Sequence, residues 1–218
     1  MSKQNDVGEM RDRILVATLP HTAFDGWTRA ALNAGATDAG QDEAWGPEMA
    51  RRAFPGGIPD LVDHLADWTD RRMDEALAGM DLESMRVRDR IAAGVRVRLS
   101  VLTPYREGVR RLLSHLALPL NAPQAARLTW AAADAIWYGV GDQSSDFNFY
   151  TKRGLLAPVY STTVLYWLAD ESEGFADTWA YLDRRIADAL KIPAATSRIK
   201  KVLSSLPGPF GVFRRARG

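Results

Sequence analysis

The side chains that most often carry out catalysis or bind metals are few and widely separated in this chain. It contains no cysteine, and its three histidines are His21, His64 and His115. No histidine follows a glutamate by three positions, the spacing that helical di-iron proteins use. The absence of cysteine also excludes a disulfide framework and a thiolate-bound metal. The sequence therefore predicts no metal site and no cofactor, and it does not indicate an enzyme.

Two segments begin like ligand-binding loops but lack the residues that bind the ligand. Residues 54–57 contain two glycines without the lysine of a phosphate-binding loop. Residues 142–153 start with the alternating polar residues of a calcium loop, but Phe147 occupies the glycine position and Arg153 the glutamate position. We interpret the first segment as a tight turn and the second as the capped start of a helix.

Charge is distributed unevenly along the 218 residues, although the net charge is only +1. Residues 191–218 contain seven basic and no acidic residues, whereas residues 1–70 contain six basic and twelve acidic ones. Binding to duplex DNA depends largely on lysine and arginine contacting phosphates. The acidic N-terminal part therefore argues against a nucleic-acid partner, and we expect an anionic partner for the C-terminal tail alone.

The C-terminal tail has the pattern of a helix that lies in a membrane interface. Apolar residues recur at i, i+3, i+4 and i+7 from Ile199 and are flanked by basic residues. No stretch approaches the roughly 20 apolar residues that span a bilayer, so we predict peripheral binding to an anionic membrane surface. The alternative is a last helix packed on the protein's own core. The predicted membrane-binding residues are Arg198, Ile199, Lys200, Lys201, Val202, Leu203, Leu206, Phe210 and Phe213.

A second cluster, residues 141–160, combines aromatic, polar and basic side chains at the start of a helix with an apolar face. This pattern fits plain core packing, and it equally fits a pocket for an apolar ligand with a phosphate head group. In the second case, Arg153 or Lys152 would lie at the mouth of the pocket. The predicted lipid-binding residues are then Arg153, Lys152, Leu155, Leu156, Val159, Thr163 and Trp167.

Helical periodicity covers most of the chain and predicts an all-α protein. We expect the first helix to end at Pro20 and the last core helix to end before Pro193, because proline lacks an amide hydrogen. We expect a kink at Pro158. The predicted helices cover about residues 9–19, 27–39, 47–53, 59–77, 91–102, 109–116, 123–138, 147–168 and 175–190.

Three short helices followed by about six longer ones resemble the plan of the TetR-type transcription regulators. We therefore expect a helix-turn-helix head at residues 1–58, a helical ligand-binding and dimerisation body at 59–192 and a membrane-binding tail at 193–218. A ligand-responsive transcription regulator is the alternative function. Because residues 1–10 lack an apolar or arginine-rich targeting pattern, we expect a bacterial cytoplasmic protein that is peripheral on the inner membrane.

Four segments make a more specific resemblance: ILVATLPHTAFDGWT, AFPGG followed by DLV, DQSSDFNFYTKRGLL, and DTWAYLDRRI. In this order and spacing they resemble the coenzyme Q biosynthesis protein 9 family over nearly the whole chain. The resemblance implies a TetR-like fold with a degenerate head that no longer binds DNA, a homodimer, a buried lipid or isoprenoid pocket and an amphipathic C-terminal helix. It further implies a non-enzymatic accessory role in ubiquinone biosynthesis, extracting quinone intermediates from the membrane and presenting them to the di-iron demethoxyubiquinone hydroxylase.

The resemblance also implies roles for individual residues. Arg153 would hold a lipid phosphate. Two positions depart from the family pattern, since Lys152 stands where a second arginine is common and Pro158 where alanine is usual. The second departure is expected to alter the shape of the pocket. The surface that would face the hydroxylase comprises Asp134, Ile136, Trp137, Asp146, Phe149 and Tyr150.

Overall fold

The computed structural model describes the backbone of residues 2–40, 45–142 and 147–205, and the side chains of residues 6–40, 45–142 and 149–191. Within these residues the chain is helical and has no strand, so the predicted all-α fold is confirmed. The helices are α1 (Ser2–Asp25), α2 (Arg29–Gly40), α3 (Pro47–Ala53), α4 (Ile58–Leu77), α5 (Val87–Leu102), α6 (Arg106–Leu116), α7 (Ala122–Gly139), α8 (Phe147–Ala169) and α9 (Ala176–Ser205).

Helices α1, α2 and α3 form the head, in which α1 lies along α2. Ile14 and Leu15 on α1 are fully buried. The two helices approach so closely that a Cβ atom added at Gly35 would lie 2.5 Å from the Cα of Thr18. Only glycine fits this crossing, because any side chain would overlap the backbone of α1. The indole of Trp27 ties the head to the body by donating to the carbonyl of Gly108 on α6, at 2.9 Å.

A half-buried carboxylate, that of Asp12, also joins α1 to α4. The Nε2 atom of His64 lies 2.8 Å from one oxygen of Asp12, and Arg71 donates to both oxygens of that carboxylate. Burial by itself raises the pKa of Asp12, but the hydrogen bonds and the charge of Arg71 prevail and lower it. Burial, assisted by the nearby positive charge of Arg11, lowers the pKa of His64. This network holds the head in a defined orientation on the body.

In the body, α4 packs against α5 and α7, and α8 packs between α7 and α9. Leu61, Leu99, Ile136, Trp167 and Leu182 are buried where these five helices meet. Apolar side chains on α4, α5, α7, α8 and α9 therefore share one core, which continues into the head.

Two predicted helix ends are wrong. Helix α1 continues through Pro20 to Asp25, and α9 continues through Pro193 to Ser205. A proline removes one hydrogen bond and crowds the carbonyl four residues earlier, but the intact turns on either side can keep the helix going. In α1, the buried Thr22 beyond the proline holds the next turn in place by donating to the carbonyl of Leu19. Helix α8 also runs through Pro158, while the kink there stays a prediction.

The turn between α8 and α9 is built around the carboxylate of Asp170. It accepts hydrogen bonds from the backbone amides of Ser172 and Thr178, at 2.8 and 2.9 Å, and from the Thr178 hydroxyl. Burial by itself raises the pKa of Asp170, but these hydrogen bonds outweigh it and hold the pKa well below its usual range. Arg106 on α6 donates to the carbonyl of the same residue. Asp170 therefore fixes α9 against α8 and α6.

Candidate functional site

Two basic residues near the start of α8 contact two carboxylates from the end of α7 and the residues after it. Arg153 donates through Nε to Asp134 and through Nη1 to Asp142, the latter at 3.2 Å. The Nζ atom of Lys152 lies 2.6 Å from the other oxygen of Asp142. Arg153 is only 2% exposed, and its guanidinium lies 3.5 Å from the centre of the Phe149 ring. The two basic charges are thus matched by two acidic ones.

This charge balance bears on the predicted lipid-binding role of Arg153. A phosphate that binds Arg153 has to compete with Asp134 and Asp142 for the same donors, and it has to enter a largely buried site. The phosphate-binding role of Arg153 and Lys152 stays a prediction.

The other predicted lipid-binding residues lie further along α8. Leu156, Val159, Thr163 and Trp167 are buried, and Leu155 is half-buried. The apolar members of the buried set belong to the main core. In the described conformation this face of α8 therefore packs against protein, and its contact with a lipid stays a prediction.

A different face of α8 borders an apolar groove, which runs between α4, α5, α6, α7 and α8 and has a volume of about 370 Å³. We call this feature the apolar groove. Leu165, at its edge, is 59% exposed, so the groove opens to the surface. The wall from α8 consists of Tyr160, Ser161, Val164 and Leu165. The opposing walls include Leu65 on α4, Leu102 on α5, Leu112 and Leu116 on α6, and Leu128 on α7.

None of the residues predicted to bind lipid lines this groove. The sequence predicted helices at 91–102 and 109–116 from their apolar periodicity but assigned no ligand-binding role to them. The sequence did contain one signal for a ligand-binding role, since Arg98 interrupts the apolar stripe of α5 between Val95 and Leu102. An arginine at a buried position needs a partner nearby, and such positions are uncommon in a plain core.

Arg98 forms the polar part of the groove wall together with two residues from other helices. It is buried, pairs through Nη1 with Asp70 on α4, and donates through Nε to the Tyr160 hydroxyl oxygen at 3.1 Å. Arg98 and Tyr160 both line the apolar groove. The three side chains join α4, α5 and α8 at one point, with no net formal charge in the Arg98–Asp70 pair.

The residues predicted to face the hydroxylase are separated by the fold. Ile136 and Trp137 are buried, and Asp134 is half-exposed and paired with Arg153. Phe149 is half-buried, whereas Tyr150 is 64% exposed. Asp146 lies outside the described residues. The partner role of this set stays a prediction.

An aromatic surface that sequence reasoning missed lies beside Tyr150. Trp130 and Tyr138 on α7 are both exposed, and the Trp130 ring lies 6.4 Å from that of Tyr150 on α8. The spacing of eight residues on one helix was a signal for a shared face. We call Trp130, Tyr138 and Tyr150 the aromatic surface.

The predicted membrane-binding tail lies mostly beyond the described residues. The backbone of α9 continues to Ser205, so the segment that begins at Arg198 is helical up to that residue. Its side chains, and all of Leu206, Phe210 and Phe213, lie outside the described part of the structure. Among the described helices, none is both long enough and apolar enough to cross a bilayer.

Comparison with known sequences identifies relatives over most of the chain. A family model described as COQ9 matches residues 122–193. The ubiquinone biosynthesis protein COQ9, mitochondrial, of rat is 34% identical over 205 residues, which are 91% of this chain and 64% of the relative. The Drosophila melanogaster protein of the same name is 33% identical over 99% of this chain and 64% of its own length. The chain thus spans somewhat less than two thirds of these relatives.

These names correct the predicted location. The rat, human, cow and fly relatives are all named as mitochondrial proteins. The prediction of a bacterial cytoplasmic protein on the inner membrane is therefore wrong. That prediction was based on the polar residues 1–10, whose composition did not indicate where the protein is located.

A solved structure independently supports the fold. The TetR transcriptional regulator from Nitrosomonas europaea superposes with a TM-score of 0.64, covering 84% of this chain and 98% of that one, at 20% sequence identity. At this identity the likeness concerns the fold alone, and the predicted TetR-like fold is confirmed. The predicted resemblance to the COQ9 family is confirmed by the family model over residues 122–193 and by these relatives.

Proposed function

We propose that this protein acts in ubiquinone biosynthesis as a non-enzymatic, lipid-binding accessory protein. In this proposal it takes an isoprenoid quinone intermediate from the membrane and presents it to the di-iron demethoxyubiquinone hydroxylase. The names of its relatives support the pathway. The observation that carries the lipid-binding part is the apolar groove.

The groove has the size and lining of a site for an apolar ligand. Its volume of about 370 Å³ falls within the range of roughly 300–1,000 Å³ that is usual for small-molecule sites. Leucine side chains from five helices line it, and its edge is open at Leu165. An isoprenoid chain that enters from the surface would remove this apolar area from water, which favours binding.

The charge of the C-terminal tail supports the membrane step. Seven basic and no acidic residues occur at positions 191–218, and each basic residue near an anionic leaflet contributes about 1 kcal/mol. We propose that this tail holds the body at the membrane surface while a lipid enters the groove. A predicted phosphate contact of Arg153 and Lys152 belongs to the same proposal.

The aromatic surface supports the partner step. Its three rings are exposed on α7 and α8, and aromatic residues are enriched at the centres of protein interfaces. We propose that the hydroxylase contacts this area, with Asp134 at its margin. A homodimer belongs to the same proposal.

Lipid content of the purified protein tests the central claim. Mass spectrometry of lipids extracted from the wild-type protein should detect an isoprenoid quinone or its precursor. Leu165→Asn places an amide at the groove edge and should reduce the amount of lipid several-fold. Leu190→Asn is the matched control, because Leu190 is similarly exposed on α9 but does not line the groove. Empty wild-type protein, or equal loss in both variants, would contradict groove binding.

Liposome flotation of the full chain tests the membrane step. Replacing Lys200 and Lys201 by alanine should weaken binding to anionic vesicles by up to about thirtyfold, corresponding to about 2 kcal/mol. The matched control replaces Arg88 and Arg184, which are exposed on α5 and α9, and should bind as the wild type does. If both double variants float equally well, the tail is not the membrane anchor.

A further inference from the structure

The hydroxyl of Tyr160, in the polar part of the groove wall, can donate a hydrogen bond to a ligand. A tyrosine hydroxyl can accept hydrogen bonds and donate one. The Tyr160 oxygen accepts from Arg98 Nε at 3.1 Å, which leaves its own hydrogen for another partner. Among the residues that the structure describes, none accepts this hydrogen. By contrast, two other wall hydroxyls donate to helix carbonyls, that of Thr69 to Leu65 and that of Ser161 to Ala157.

The surroundings of Tyr160 indicate which oxygen it would meet. The positive charge of the buried Arg98 is matched by Asp70, so the polar part of the wall carries no net formal charge. An anionic head group would gain little from the paired Arg98 and would be repelled by Asp70. A neutral carbonyl oxygen, however, can accept from Tyr160 without disturbing the pair.

We propose that Tyr160 donates a hydrogen bond to a neutral carbonyl oxygen of an amphiphile whose apolar chain lies in the groove. The ring carbonyl of a quinone and the ester carbonyl of a glyceride share this chemistry. Arg98 and Asp70 act as positioning residues, because they hold the phenol oxygen and so direct its hydrogen away from them. This inference rests on the proposed groove binding and adds the class of ligand that the groove selects.

Isothermal titration of the full chain tests the assignment with four probes. These are decylubiquinone, which has ring carbonyls; dioctanoylglycerol, which has ester carbonyls; decylbenzene, which has no oxygen; and dodecyl phosphate, which is anionic. Tyr160→Phe removes only the hydroxyl and should weaken binding of a carbonyl probe by roughly threefold to tenfold, the effect of one neutral hydrogen bond. It should leave decylbenzene within twofold. Whichever carbonyl probe responds identifies the source of the carbonyl.

Two matched variants control for other effects. Tyr166→Phe makes the same change on the same helix, but Tyr166 stacks on Tyr181 at 4.6 Å and does not line the groove, so binding should be unchanged. Thr129→Val removes another wall hydroxyl and tests whether the loss is specific to Tyr160. Circular dichroism confirms that each variant is folded.

The possible failures are distinguishable. If the wild type binds none of the probes, the proposed groove function fails. If the wild type binds decylubiquinone or dioctanoylglycerol and Tyr160→Phe binds it equally well, ligand binding in the groove is supported and the role of Tyr160 is refuted. The same conclusion follows if Thr129→Val, and not Tyr160→Phe, weakens binding of the carbonyl probe. Equal weakening of decylbenzene would mean that Tyr160 only shapes the groove. Tighter binding of dodecyl phosphate than of either carbonyl probe would refute selection of a neutral oxygen.

Discussion

Replacing Asp170 by asparagine should lower the free energy of unfolding by about 2 kcal/mol at neutral pH. One carboxylate oxygen accepts from the Ser172 amide, and the other accepts from both the amide and the hydroxyl of Thr178. Asparagine keeps only one acceptor oxygen. Either the Ser172 donor or the two Thr178 donors therefore lose their acceptor, and the remaining hydrogen bonds are made to a neutral oxygen instead of a charged one. Hydrogen bonds to a charged group contribute about 1.5–3 kcal/mol and neutral ones about 0.5–1.5 kcal/mol, which yields this magnitude.

The pH dependence of this effect has a definite sign. Because the folded protein lowers the pKa of Asp170 from 3.8, the carboxylate stabilises the fold fully above that value. The contribution is lost as the pH falls through the lowered pKa of the folded state. The asparagine variant cannot titrate at this position. The stability difference between the two proteins should therefore be constant from about pH 5 to 8 and should shrink below about pH 4.

Urea unfolding followed by circular dichroism at several pH values measures this difference. Glu171→Gln is the matched control, since it removes the same charge from the exposed neighbouring residue and should change stability by less than about 0.5 kcal/mol. If Asp170→Asn is as stable as the wild type at pH 7, the Asp170 carboxylate does not stabilise the fold. A stability difference that grows as the pH falls would also refute this role.

Three further predictions concern the head, the ion pairs of Arg153 and the aromatic surface. Gly35→Ala should destabilise the protein by about 1–3 kcal/mol in the same unfolding assay, because the methyl group would overlap Thr18. Arg153→Met should cost about 3 kcal/mol, because it leaves the largely buried Asp142 without one of its partners; a neutral result would show that solvent replaces the guanidinium. Tyr150→Ala should reduce capture of the di-iron hydroxylase at least tenfold in a pull-down, whereas Tyr166→Ala should retain it, and equal capture by both would remove the aromatic surface from the interface.

Most helices were predictable from the sequence because their apolar spacing and end signals are local. The turn at residues 54–57 shows this, since Gly57 has a φ of 69° and α4 begins at the next residue, close to the predicted start at about 59. Proline was the misleading signal. We expected a helix to end at Pro20 and another before Pro193, because each proline removes one hydrogen bond from the helix. In both places the helix continues.

The site was less predictable than the helices because α8 is apolar on several sides. A helix of this kind has no single stripe that separates core from ligand-binding face. The structure buries Val159 and Thr163 in the core and turns Tyr160 and Val164 towards the groove. A rotation of one residue along the helix, about 100°, decides between these faces, and only packing against α7 and α9 sets it.

The sequence by itself determined the helical class, the acidic head, the basic tail and the resemblance to the COQ9 family, because composition, periodicity and motif order do not depend on which helices meet. Tertiary structure alone decided which charges are matched and which apolar faces remain open. Asp134 and Asp142 precede Arg153 by 19 and 11 residues, and Asp70 and Tyr160 come to Arg98 from two other helices. Such partners are brought together by helix packing, so their pairing is a property of the fold and not of any local pattern.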